Sequence, residues 1–386
     1  MFILEEPYVS DLLLETLEKN QFEVLNNEII KTDKKLNLIN ASTAINFYKN
    51  NTDLKIYSNS ENSISWVLNN FSSSNLAKSI NIFKDKYKFR ELLKPLYPNF
   101  YFREISLSEL DNLDINTIPK PFIIKPTVGF LSLGVHKVNS NQEWIETIQK
   151  LKSEVETFSK LFPSKVVNSS KFIIEEIITG TEYAVDAYYN NNGEAVILNI
   201  FKHPFVSKED VSDRAYISSK SIIQENLTQF TEILNKIGSI SKLKNFPMHI
   251  ELIKNEKDIV PVEINPMRFA GWCTTDLAYY AYGINVYEYF VNQIKPDWNN
   301  IFKSKKDEIY YFAMAETPQK IDKTLIDNFD YDLLAQNFSK ILEFRKIDYL
   351  KKPMFAIIFG EAKTTEEINK ILKLNMEDFI QYSAKI

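Results

Sequence analysis

A chain of 386 residues with 44% apolar, 13% aromatic and 25% charged side chains is too long for one small core and reads as a globular protein of two or three subdomains. A net charge of −5 argues against a nonspecific nucleic-acid binder, and a single cysteine, Cys273, excludes an internal disulfide framework and a cysteine metal cage. No stretch approaches the roughly 20 apolar residues of a membrane helix, and the start, Met1 to Pro7, lacks a signal's basic flank, so a cytoplasmic protein with no membrane and no nucleic-acid partner is expected.

In chain order, residues 1–80 begin strand (Met1 to Glu5), helix (Ser10 to Asn20, with Leu13, Leu14 and Leu17 on one face), strand (Phe22 to Leu25), which predicts a small α/β amino-terminal domain. No glycine-rich dinucleotide fingerprint follows the first strand. One helical stretch, Ile82 to Leu93, carries Lys84, Lys86, Lys88 and Arg90 before Pro95 and Pro98 end it. An apolar strand then ends in Lys125-Pro126 and returns through a small-residue loop, and Ser140-x-x-Glu143 caps a helix through Leu151. Lys171 to Ile178 and the hairpin Tyr183–Tyr189/Ala195–Phe201 read as strands, and the polar, aperiodic stretch 205–221 as a mobile loop. A helix, Glu225 to Ile240, precedes a second hairpin, Met248–Ile253/Ile259–Ile264. Beyond Trp298 the pattern restarts with Glu308 to Ala315, Leu333 to Glu343, Met354 to Phe359 and a helix capped at Thr364, an α+β extension; no internal repeat is present. The expected units are 1–80, 81–200, 201–300 and 301–386.

The chain has only eight glycines, and Gly129, Gly134, Gly180, Gly193 and Gly271 fall at turns and loops where a positive φ or a close ligand approach is useful. Lys86 and Lys125 are cations of the kind that neutralise nucleotide phosphates, with the loop Thr127 to Gly134 supplying backbone amides; a strand-ending lysine such as Lys125, taken alone, is more often a solvated rim residue. Glu251 lies on one strand of a hairpin and Glu263 and Asn265 end the facing strand, a set of hard oxygen donors suited to Mg²⁺ beside phosphate, or else a solvated sheet face. Against the second reading, Glu263 stands among Val260, Pro261, Val262 and Ile264, where an unpaired carboxylate is costly.

In this order the residues resemble the ATP-grasp superfamily of carboxylate-amine ligases over about residues 80–295. The resemblance implies an ATP-grasp fold of mixed α/β and α+β subdomains with ATP and two Mg²⁺ as cofactors. It assigns Lys86 and Lys125 to the phosphates, Ser132 to the phosphate loop, Glu175, Glu176 and Ile178 to the adenine hinge and Glu182 to the ribose. Glu251, Glu263 and Asn265 become the metal ligands, with Glu263 bridging two ions. The run Arg268-Phe-Ala-Gly-Trp272 is similar to one in L-amino acid ligases of the bacilysin-synthesis type, where the arginine faces the acyl phosphate; Met267 stands where the commoner spelling Asn-Pro-Arg has its arginine. Arg268 and Lys125 are thus the expected catalytic pair, and Lys202, His203, Arg214, Gly271 and Trp272 candidate substrate contacts. Expected partners are a small-molecule carboxylate, an amino acid favoured as acyl donor, and an amine, in a chain that forms a homodimer; a peptide or protein acceptor, or nucleotide binding without catalysis, are the alternatives.

Overall fold

The computed structural model describes residues 1–49, 54–129, 134–161, 171–204, 214–318 and 320–382, with the backbone alone at 156–161. Strands Phe2–Ile3, Glu23–Leu25, Asn37–Ile39 and Tyr57–Ser58 form a parallel sheet, with Phe2–Ile3 between Glu23–Leu25 and Tyr57–Ser58. Its first helix, Asp11–Asn20, starts where the Ser10 hydroxyl accepts from Leu13 N–H and buries Leu13 and Leu17. This satisfies one of the four donors a helix start leaves open.

The basic stretch expected as one helix is two, Asn75–Phe83 and Lys86–Leu93. Asp85 makes the break: it leaves helical geometry, and its carboxylate accepts from Tyr87 and Lys88 N–H, 3.1 Å each. A short acid that caps one helix cannot continue another. Lys86 and Arg90 then share one face, four residues apart.

A four-stranded antiparallel sheet runs Phe102–Ser106, Lys171–Glu176, Phe122–Pro126, His136–Val138, with helix Asn141–Leu161 packed through Trp144 and Leu151. Beyond it, an eight-stranded antiparallel sheet has the order Ile259–Pro266, Phe246–Lys254, Thr181–Tyr189, Ala195–Lys202, Ala215–Ser218, Ile309–Glu316, Met354–Ala362, Ile341–Lys346. One face is covered by helix Lys220–Ser241, where Phe230 meets Tyr183 at 5.4 Å between ring centroids and Tyr189 donates to Leu234 O at 2.6 Å. The other face carries the polar residues discussed below.

The expected loop over 205–221 is overturned in its second half. Ala215–Ser218 is a strand paired residue for residue with Tyr310–Ala313, and the next helix begins at Lys220 with Ser219 as its cap; residues 205–213 lie outside the described residues. Four residues that end in Ser218 and run into Ser219 show too little alternation to stand out from a polar context. The pairing joins the carboxy-terminal strands to the central sheet, so residues 309–362 continue the sheet that holds Glu251 and Glu263.

Candidate active site

The two central strands set the acids. Glu251 lies directly across from Glu263, and His249 across from Asn265, so all four stand on one face; a bulge after Glu251 shifts the register and turns Pro261 away from that alternation. The same face continues through Asp186, opposite His249, to Asn199. Two carboxylates and an amide oxygen are hard donors that fit Mg²⁺ when phosphate oxygens complete its shell. Among the described residues no three His, Cys, Asp or Glu side chains gather closely enough to bind a metal by themselves.

Cations stand against these acids. Lys86 Nζ lies 3.3 Å from Glu263 Oε2 and donates to Gly129 O at 3.2 Å, so one ammonium touches both the acidic strand and the start of the small-residue loop. Burial pushes the Glu263 carboxyl up, and Lys86 and Lys84 more than offset it, leaving its pKa below the ordinary carboxylate value. Arg268 follows the same strand, and its Nε lies 3.5 Å from Glu61 Oε1, whose other oxygen accepts from Lys84 Nζ at 2.6 Å. Glu61 is likewise held low: burial opposes ionisation, and Lys84 and Arg268 overcome it.

Lys125 ends its strand buried, 7% exposed, in an ion pair with Glu175 Oε1. Glu175 Oε2 accepts from Arg90 Nε at 2.7 Å, and Arg90 Nη1 donates to Pro261 O at 2.6 Å. Arg90 therefore ties the strand carrying Glu175 to the strand carrying Glu263. Burial would raise the Glu175 pKa, but Lys125 and Arg90 hold it down to about 2. Burial draws the Lys125 ammonium below its usual value, and Glu175 offsets only part of this because Arg90 and Lys86 repel it.

The remaining expected residues are distributed as follows. Glu176 N–H is already donated to Tyr101 O at 3.0 Å, which leaves its carbonyl as the group to offer a base, while Ile178 follows in the irregular segment after the strand. Glu182 is the second residue of the next strand, Thr181–Tyr189, beyond Gly180, whose φ is +155° and where any side chain would strike the Lys254 carbonyl. Ser132 lies outside the described residues; Gly134, at the loop's far end, has φ +71°. His203 is buried with its ring 4.8 Å from Tyr216, on the acid-bearing face by register. Lys202 pairs with Tyr183, one step off that alternation, on the side that helix Lys220–Ser241 covers. Arg214 is exposed at the sheet's middle, its Nε 3.4 Å from Glu316. Gly271 has no positive φ, and a Cβ there would come only within 3.8 Å of Arg268 Nη1. Trp272 adopts φ +54° and stacks on Tyr8, 6.4 Å between centroids.

Sequence reasoning passed over Arg90, Glu61 and Asp186. Asp186 is wholly buried; its Oδ1 contacts His249 Nδ1 and accepts from Ala270 N–H, 2.8 Å each. Its signal was present, an acid inside Ala184-Val-Asp-Ala-Tyr188, by the same cost argument that singled out Glu263. Glu61 carried no such signal, since only tertiary contact brings it to Arg268.

Two antiparallel sheets thus present a lysine near the end of a strand in one and paired acids on a hairpin in the other. Residues 118–276 match the family model of the ATP-grasp domain, and the chain as a whole has the ATP-grasp fold. Among solved structures it is similar to an L-amino acid ligase from Bacillus licheniformis, at 15% identity and TM-score 0.67, covering 99% of this chain and 98% of that one. It is also similar to phosphoribosylglycinamide synthetase from Anaerococcus prevotii, 15% identical with TM-score 0.59 over 100% and 99% of the two chains. A third is the biotin carboxylase domain of Hydrogenobacter thermophilus 2-oxoglutarate carboxylase, solved as a dimer with MgADP and bicarbonate, 12% identical with TM-score 0.62 over 99% and 90%. No curated protein sequence matches. Among the described residues no helix is long and apolar enough to cross a membrane.

Proposed function

We propose that this protein is an ATP-dependent carboxylate-amine ligase that joins a small-molecule carboxylate, an amino acid as acyl donor, to an amine through an acyl phosphate. The observation that carries the reading is the set of charges gathered about one strand: Lys86 paired with Glu263, Glu251 opposite Glu263, and Arg268, just past the strand's end, beside Glu61 and its partner Lys84. Lys86 and Lys125 take the phosphates, the loop from Thr127 to Gly134 with Ser132 covers them, the Glu176 carbonyl and Ile178 receive the base, and Glu182 receives the ribose. Glu251, Glu263 and Asn265 are the Mg²⁺ ligands; the ions, when bound, supply charge neutralisation at the phosphate oxygens.

A carboxylate oxygen of the acyl donor attacks the γ-phosphorus of ATP, and ADP leaves. The amine nitrogen attacks the resulting acyl carbonyl, loses a proton and expels phosphate, which forms the amide. Arg268 faces the negative oxygen of that second step, and preorganised charge of this kind acts most strongly where water is excluded. Lys125 exchanges Glu175 for phosphate when the nucleotide enters. His203, Arg214, Gly271 and Trp272 line the acceptor side; Lys202, on the opposite face of the sheet, is not among them. A cytoplasmic homodimer is the proposed working form.

The test is phosphate release from Mg²⁺-ATP with the twenty amino acids, singly and in pairs, with product masses read by mass spectrometry. Release that requires a particular pair and yields their condensed mass is the expected result. ATP binding with no release under any pair removes the amino-acid reading, and turnover only with an added peptide or protein moves the acceptor to a macromolecule.

A further inference from the structure

The loop from Met267 to Asp276 carries Arg268 and Trp272 and contains three non-glycine residues in left-handed geometry, Met267 (φ +67°), Trp272 (+54°) and Cys273 (+55°). Residues of this kind stay in such a conformation only where their surroundings over-determine it. At its first end the loop is held twice: Met267 O accepts from Ser58 N–H at 2.8 Å, and Ala270 N–H donates to the buried Asp186 at 2.8 Å. Its other end is Asp276, 0% exposed, with both carboxylate oxygens engaged. Oδ1 accepts from Tyr287 OH at 2.6 Å and Oδ2 from Arg345 Nη2 at 2.7 Å.

Arg345 comes from strand Ile341–Lys346, at the far edge of the eight-stranded sheet, 69 residues after Asp276 in the chain. It is paired in register with Ile357, stands under the loop with its guanidinium 4.6 Å from the Phe359 ring, and also donates to Tyr280 OH at 3.0 Å. The Tyr8 ring lies 6.0 Å from the Arg345 guanidinium carbon and also stacks on Trp272. A buried ion pair such as Arg345–Asp276 adds little net stability over an apolar packing of the same volume, so fixing one conformation is the more economical account of it.

We infer that Arg345 is a positioning residue: through Asp276 and Tyr8 the carboxy-terminal strands hold the Arg268–Trp272 loop in its substrate-facing conformation. The kinetic consequence rests on the ligase reading above; the conformational one does not. With the loop released, nucleotide still binds to Lys86, Lys125 and the Glu251–Glu263 strands, while the amino-acid substrates lose their ordered contact surface.

Cys273, the chain's only cysteine, lies inside the loop and reports on it directly. It is 3% exposed, and burial, with Asp276 beside it, pushes its thiol up to about 12, so the wild type reacts slowly with iodoacetamide at pH 8. Arg345→Lys keeps the charge but loses the planar two-donor geometry; Asp276→Asn combined with Arg345→Gln removes both charges and strands neither. In each, alkylation of Cys273 is expected to speed up by about tenfold or more at an unchanged urea midpoint, Mg²⁺-ATP affinity to stay within about twofold, and KM for the amino acids to rise about tenfold with kcat less affected. Wild-type alkylation rates in both variants, rates that rise only as global stability falls, or a KM change confined to ATP would overturn the inference. If the wild type turns over no substrate pair, the ligase reading fails, and the alkylation rates alone decide whether Arg345 holds the loop.

Discussion

Glu175 sits between Lys125 and Arg90 with each oxygen taken by one cation, and its folded-state pKa of about 2 lies below the ordinary 4.5. A depressed carboxylate pKa means that the stabilisation is complete above about pH 4.5 and disappears as the pH falls through about 2, a total of roughly 3 kcal/mol. Urea denaturation between pH 5 and pH 2 should show that loss in the wild type and not in Glu175→Gln; parallel curves for the two proteins would contradict the assignment. Glu263 makes a different demand, since it faces Lys86 in this structure and Mg²⁺ in the proposed reaction. Glu263→Gln keeps the shape and removes the charge, so Mg²⁺-dependent turnover should fall by at least about a hundredfold while far-UV circular dichroism stays near native. Full activity in that variant would remove the metal assignment.

Between the two antiparallel sheets the chain passes through Gly180. Its φ of +155° and the Lys254 carbonyl against its Cα leave no room for a β-carbon, so Gly180→Ala must displace either the hinge segment or the end of strand Phe246–Lys254. A stability loss above about 1 kcal/mol is expected from thermal denaturation, with weaker ATP binding by calorimetry because Glu176, Ile178 and Glu182 flank the hinge. Native stability together with native ATP affinity would show that the hinge tolerates the shift. The same segment shows how far local patterning reaches. Strands Lys171–Glu176 and Thr181–Tyr189 were legible because β-branched and aromatic residues run between turn formers. Strand Ala215–Ser218 was not, because its stability comes from partners nearly a hundred residues away, Tyr310 to Ala313.

Over the whole molecule, the central sheet does not end with the strands that hold the proposed site. Ile309–Glu316, Met354–Ala362 and Ile341–Lys346 complete it; Phe359 packs on Tyr280, in the helix Leu277–Tyr282 that follows the Arg268 loop, and Phe312 packs on Phe359. A chain ended at Ser304 would leave Ala215–Ser218 as an open edge and strip Asp276 of Arg345. It is expected to be recovered mostly as aggregate, and any soluble fraction to lack the near-UV circular dichroism of packed aromatics; a soluble, ATP-binding fragment would show that the last strands are an independent appendage.

By itself the sequence determined the types and order of most elements, the lysine and acid positions, and the resemblance that their order carries, because periodicity, caps and the cost of a carboxylate among apolar neighbours are local properties. It also fixed that Glu263 and Asn265 share a face, since alternation along one strand requires it. Only the tertiary structure decided that Glu251 stands directly across from Glu263, that Arg90 bridges Glu175 to the carbonyl of Pro261, and that Arg345 reaches Asp276. The first is set by the bulge in the hairpin's register, and the other two are contacts between residues far apart in the chain, set by which strand lies beside which. No local spacing encodes that choice, because it is made by the packing of whole sheets against one another.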